Sequence, residues 1–122
     1  MIDPRIRRMA QVLVRYSLGI KQGNRLGIRA EPVAAPLIRE VAREAIAVGA
    51  FPEIFITIPG IKEILLKEGS DAQLKYIPDS TRLIAEEYEA VLDISSQENT
   101  KELSGVDPAR MALQQQAHSP LF

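Results

Sequence analysis

Three short β-type runs separated by segments of helical periodicity constrain this chain more than anything else in it. The runs are Arg25–Ala30, Phe51–Ile58 and Glu89–Ser95. Arg25-Leu26-Gly27-Ile28-Arg29-Ala30 alternates with period two, as a half-buried strand does. Phe51 to Ile58 is nearly continuous in apolar, β-branched and aromatic residues, a pattern expected of a strand covered on both faces. Strands that alternate with helices imply a parallel sheet with right-handed crossovers. The fold class expected is therefore α/β: three layers, a small parallel sheet with helices on both faces, of Rossmann- or flavodoxin-like topology.

The helical segments carry their own punctuation. Asp3-Pro4 pairs an N-cap carboxylate with a proline at the first helical position. Ile6, Met9, Ala10, Leu13, Tyr16 and Ser17 then recur at helical spacing as the packed face, opposite Arg5, Arg7, Arg8, Gln11 and Arg15. Gly19 follows the expected end of this helix, and Gln22-Gly23-Asn24 reads as a turn. From Ala34 to Val48, Leu37, Ile38, Val41, Ala42, Ala45 and Ile46 form an apolar face. Arg39, Glu40, Arg43 and Glu44 form the wet one, with Glu40 and Arg43 spaced for an i,i+3 pair. Gly49 stops this helix. Short helices are expected over Ile61–Glu68, Asp71–Tyr76 and Pro78–Tyr88, and a last one from Asp107 to about Ala117.

Composition narrows the function classes. The chain has 122 residues, enough for one domain (1–122) with a proper core. A net charge of −1 lacks the basic excess of a nucleic-acid binder. The absence of cysteine excludes disulfides, thiolate metal sites and cysteine nucleophiles. No apolar run approaches the ~20 residues of a membrane span, and the charged N-terminus lacks the apolar region of a signal peptide. The expected location is the cytoplasm, with no membrane partner. The single histidine, His118, lies where it complements a helix dipole. It also leaves the serines without a plausible base. No Walker or Gly-x-Gly-x-x-Gly loop follows a strand, and Ala30-Glu31-Pro32 offers a phosphate a carboxylate and a residue without an N–H. Asp93 lies inside its strand, away from the tip where a Mg²⁺-binding receiver needs acids.

What remains are the loops at the strand ends: Arg29 to Pro32, Thr57 to Gly60, and Ser95 to Asn99. A parallel sheet puts all three at its carboxyl edge, where ligands of such folds bind. Asx residues there also cap turns and helices. Capping accounts for Asp107, whereas Glu98 and Asn99 are open to either role.

The order of these pieces resembles the N-terminal domain of the thermophilic-type metalloaminopeptidases, the aminopeptidase T and aminopeptidase S group. The matching segments are Asp3-Pro4-Arg5, Leu13 to Leu18, Lys21 to Arg29, Pro36 to Arg39 through Glu44-Ala45, and Gly49-Ala50. Strongest is Glu98-Asn99-Thr100 with Leu103-Ser104-Gly105-Val106-Asp107-Pro108-Ala109-Arg110. The resemblance implies the N-terminal domain, or a fragment, of a longer two-domain peptidase that removes N-terminal residues from peptides. The apolar ending Ser119-Pro120-Leu121-Phe122 fits a cut better than a natural end. The family's two divalent metal ions, such as Zn, Co or Mn, belong to the second domain, so no metal ligand, catalytic residue or cofactor is expected in this chain. The partners implied are the missing C-terminal catalytic domain, a peptide substrate and a second copy in a homo-oligomer. Glu98, Asn99, Thr100 and Glu31 are the candidates for the substrate-cleft wall. The alternative is a stand-alone α/β interaction or small-ligand-binding module without catalysis.

Overall fold

The computed structural model describes residues 3–94 and 105–118. Their elements run α1 (Pro4–Val12), a π turn (Leu13–Ser17), β1 (Arg25–Ala30), a 3₁₀ turn (Pro32–Ala34), α2 (Ala35–Ala47), β2 (Phe51–Ile56), α3 (Ile61–Glu68), α4 (Asp71–Lys75), α5 (Asp79–Glu87), β3 (Ala90–Ile94) and α6 (Pro108–His118). The three strands form one parallel sheet in the order β2-β1-β3. This is the α/β architecture that the alternation implies, and it is consistent with a three-layer fold. The described residues fall into two compact units, 3–57 with 88–94 and 58–87 with 105–118.

The first unit holds the sheet. Leu26, Ile28 and Ala30 project from one face of β1 into a core with Ala10, Val14, Ile38, Val41 and Ala45. Ala90, Leu92 and Ile94 of β3 pack against the same core. The other face of β1 carries Arg25, Gly27 and Arg29. Here Arg25 lies over the Tyr88 ring, 5.5 Å from its centroid, and Tyr88 meets Phe55 edge-on at 6.5 Å.

The roles of two strands are exchanged relative to the sequence reading. The period-two strand, β1, is the central one, and its residues Leu26, Gly27 and Ile28 are all buried. The near-continuous apolar strand, β2, is an edge strand, and Phe51, Glu53, Ile54 and Ile56 are exposed. Pro52 shows why β2 tolerates the edge: its missing N–H falls on the side of the strand that has no neighbouring strand among the described residues.

Helix packing also departs from simple periodicity. The π turn closes with the Leu18 N–H donating to the Leu13 carbonyl at 2.9 Å. Its wider turn rotates the following positions away from the 3.6-residue stripe. Val14 is therefore buried, while Tyr16 is 79% exposed and Met9 is also exposed rather than packed. On α2, Glu40 and Glu44 are buried at 6% and 8% exposure rather than wet, and Ile46 is 64% exposed. Each buried carboxylate has a cation over it. Arg43 Nε donates to Glu40 at 2.9 Å, the expected i,i+3 pair, and Arg15 reaches Glu44 from the π turn.

The loops between these elements follow the predicted chemistry. Gly23 and Gly49 adopt φ of +85° and +84°. The Gly23 N–H donates to the Gly49 carbonyl at 3.0 Å. A Cβ on Gly49 would sit 2.9 Å from Cγ of Gln22, so the two glycines lock together the turns before β1 and β2.

The second unit contains α3, α4, α5 and α6; residues of α3, α4 and α6 pack around buried Leu66, Leu74 and Val106. Ser70 and Gln73 form a reciprocal capping box at the start of α4.

Candidate functional site at the carboxyl edge of the sheet

In-register pairing brings the three strand ends together. Ala30 of β1 stands opposite Ile56 of β2 and Ile94 of β3. The chain leaves all three strands at one edge, as a parallel sheet requires. The Thr57 N–H still donates to the Ala30 carbonyl at 2.9 Å, extending the ladder one step beyond β2.

Glu31 is the first residue past β1. Its backbone stays extended, with φ −86° and ψ 156°, and its carbonyl accepts the Ala34 N–H at 3.0 Å to open the 3₁₀ turn. Its half-buried side chain does not cap that turn. Pro32 supplies no N–H beside it, so the turn is built around the carboxylate rather than as an anion cradle. One row further back, Arg29 stands between Phe55 and Asp93 in register. Parallel partners share a face, so Arg29 and the exposed Asp93 carry opposite charges side by side. The carboxylates of this edge are hydrogen-bond acceptors, and Arg29 among them offsets part of their charge. Glu31 is where the sequence reading expects it; Glu98, Asn99 and Thr100 lie outside the described residues.

Among the described residues, no group of three or more His, Asp or Glu could hold a metal ion. The described residues therefore do not fit a two-metal centre, and no hydrolytic step is assigned to them.

The segment that carried the strongest resemblance has a structural job. Asp107 Oδ1 accepts the Ala109 N–H at 2.9 Å, and the Asp107 carbonyl accepts from Arg110 and Met111, so Asp107 and Pro108 start α6 as the capping rules predict. Val106 is buried against Leu66 and Leu74. Arg110 turns back across the unit. Its Nε donates to the Leu66 carbonyl at 2.6 Å, and Nη2 donates to the Gly69 carbonyl. It thus satisfies carbonyls at the C-terminal end of α3 that the helix itself leaves without donors. Sequence reasoning missed this role. One signal was available: a cation in the first turn of α6, where the dipole favours an acid.

The family model described as thermophilic metalloprotease (M29) matches residues 2–122. The chain belongs to this family. No curated protein matches the chain. Among solved structures it is similar to wild-type AmpT from Thermus thermophilus, with a TM-score of 0.73 and 20% sequence identity. The match covers 95% of this chain and 30% of that one, so the chain spans under a third of the length of the structure whose fold it shares. At that identity the likeness establishes the fold alone.

Proposed function

We propose that this chain is the N-terminal α/β domain of a two-domain metal-dependent aminopeptidase, and that it forms one wall of the substrate cleft without supplying catalytic groups. The observation that carries the reading is the family match over residues 2–122 to a thermophilic metalloprotease. The sheet supports it: β1, β2 and β3 end at a common edge, where Glu31 stands and from which the chain runs on toward Glu98, Asn99 and Thr100. Carboxylates and amides on a cleft wall suit an extended peptide, whose free amine and backbone N–H groups are donors. Two divalent ions, such as Zn, Co or Mn, would be held by the catalytic domain and would activate water and polarise the scissile carbonyl. Residues of the present domain would bind and orient the peptide.

The test is alanine replacement of Glu98 and Asn99 in the peptidase that carries this domain. Loss of peptide hydrogen bonds at about 0.5–1.5 kcal/mol each should raise KM roughly 2- to 10-fold while kcat changes little. Kinetics identical to the unsubstituted enzyme across several peptides would sink the cleft-wall assignment.

A further inference from the structure

Charge is unevenly distributed along this chain. The first 30 residues carry seven Lys and Arg against one acid, Asp3, while the whole chain has a net charge of −1. The Asp3 carboxylate is used at the cap of α1, where Oδ1 accepts the Arg5 N–H at 2.9 Å. Arg15 is paired with buried Glu44, and Arg25 with Glu89. Among the described residues no carboxylate pairs with Arg5, Arg7 or Arg8, all exposed on α1. Two of these arginines border exposed apolar surface. Arg5, Met9, Val12 and Tyr16 follow at i, i+4, i+7 and i+11, the spacing of one helical stripe. Met9 is 53% and Val12 47% exposed, and Tyr16 beyond them is more exposed still. Arg5, Arg8, Met9, Val12 and Leu13 line a groove of about 370 Å³ on this face. Packing of the core does not account for the stripe, because the same segment buries Ala10 and Val14 instead. The π turn is a rare geometry that recurs at functional sites, and its first residue, Leu13, lines the groove.

We propose that this groove binds an acidic amphipathic helix of another protein, with its apolar ridge in the groove and its carboxylates at Arg5 and Arg8. Charge complementarity selects the occupant. Asp or Glu beside the ridge meets guanidiniums that have no carboxylate of their own among the described residues, so docking breaks no ion pair. The stripe from Arg5 to Tyr16 is three turns long, about 16 Å at the rise of an α-helix. A helix of that length carries apolar side chains at the matching i, i+4 and i+7 spacing, and its ridge enters a groove as helices do when they pack. The flexible thioether of Met9 adapts to such a ridge. An anionic bilayer offers charge but no ridge, and a nucleic-acid backbone offers phosphates but no apolar side chains. Either would satisfy only half of the site. None of the groove residues belongs to the carboxyl edge of the sheet, so the inference does not depend on the peptidase reading.

The probe is a fluorescein-labelled synthetic helix of about 15 residues, long enough to hold helical structure in water. It carries Leu at i, i+4, i+7 and i+11 and Glu on both flanks. Its anisotropy with the 122-residue chain should report a Kd of about 100 µM or tighter. The same peptide with Lys in place of Glu should not bind. Arg5→Glu/Arg8→Glu and Met9→Ser/Val12→Ser, each checked for the native circular dichroism spectrum, should weaken binding on the order of tenfold or more. Arg7→Glu/Lys21→Glu makes the same change of net charge at exposed positions off the stripe, and should stay within about twofold of the unsubstituted chain. Equal loss in that off-stripe variant would reduce the effect to general charge attraction and overturn the proposal. Absence of binding by the acidic helix up to about 1 mM would also overturn it. Binding to phosphatidylglycerol vesicles that depends on the groove residues would assign the face to a membrane instead. In the longer peptidase the acidic helix should still bind; its loss there would give the groove to the rest of the polypeptide and end the case for a separate partner.

Discussion

Arg110 shows how one side chain fixes a turn that the backbone alone leaves unfinished. Gly69 follows α3, and its carbonyl and that of Leu66 both accept from the Arg110 guanidinium. The glycine is required for a related reason. A Cβ there would lie 2.6 Å from the Leu65 carbonyl oxygen, which is backbone and has nowhere to go. Replacing Arg110 with Met keeps much of the apolar stem and removes both donors. With hydrogen bonds from charged groups at about 1.5–3 kcal/mol, Arg110→Met should lower unfolding stability by roughly that amount. Arg110→Lys should recover less than half, because an ammonium cannot reproduce the two-pronged geometry. Urea titration followed by circular dichroism checks both, and a wild-type midpoint for Arg110→Met would remove this role. The same residue marks a limit of reading the sequence. Asp107 and Pro108 announce themselves, since capping is local chemistry between neighbours. Arg110 acts on carbonyls 41 and 44 positions earlier, and no local pattern encodes that distance. Glu40 and Glu44 teach the same lesson: helical spacing puts them on a charged face with Arg39 and Arg43, yet the folded chain buries the two carboxylates and leaves both arginines exposed.

At the scale of elements, the start of the sheet is held by a carboxylate rather than by the ladder. The Arg25 backbone N–H, the first of β1, donates to Glu89 Oε2 at 2.8 Å, just before β3 begins. The Arg25 side chain adds a longer contact to the same oxygen at 3.8 Å, and its guanidinium lies over Tyr88. The backbone hydrogen bond from Arg25 is the main reason the Glu89 carboxyl is held below the ordinary carboxylate value, with the Arg25 charge helping. A depressed folded-state pKa means the ionised form is favoured by folding. Its contribution is therefore present above the unfolded-state value and is lost as pH falls through the lowered folded value. Glu89→Gln should be less stable than the parent at neutral pH, with the difference shrinking in acid. Thermal melts of both proteins between pH 7 and the acid range, about pH 3, check the sign. A difference that grows on acidification would reverse the assignment. Elements were the most legible level of this chain, because caps, glycines and periodicity are written within each segment. Strand position was not. Apolar content made β2 look central, yet centrality is decided by which strand the others pair with, and short, glycine-bearing β1 takes that place.

For the whole molecule, the family match and the chemistry of the described residues have to be weighed together. An M29 match over residues 2–122 assigns the chain to a metalloprotease family. A hydrolytic two-metal centre nevertheless needs several imidazole or carboxylate ligands converging on two ions 3.5–4 Å apart, by the usual spacing of about that size. The sequence offers one histidine and no cysteine. Among the described residues, its acids do not gather in threes. Those that are buried, Glu40 and Glu44, are already neutralised by Arg43 and Arg15. The acids at the carboxyl edge are few and share it with Arg29, whose charge opposes a cation. Binding one ion weakly at such an edge would not supply catalysis, because metal hydrolysis depends on fixed geometry and an open coordination position as much as on the ion. The 122-residue chain should therefore release no amino acid from peptide amides when Zn²⁺, Co²⁺ or Mn²⁺ is added, at any of several metal concentrations. On the proposed reading, a peptidase that carries this domain together with a catalytic one should be activated by the same ions and silenced by a chelator. Metal-dependent turnover by the clean 122-residue chain would mean that ligands converge here after all, and would overturn the proposal that this chain supplies no catalytic groups.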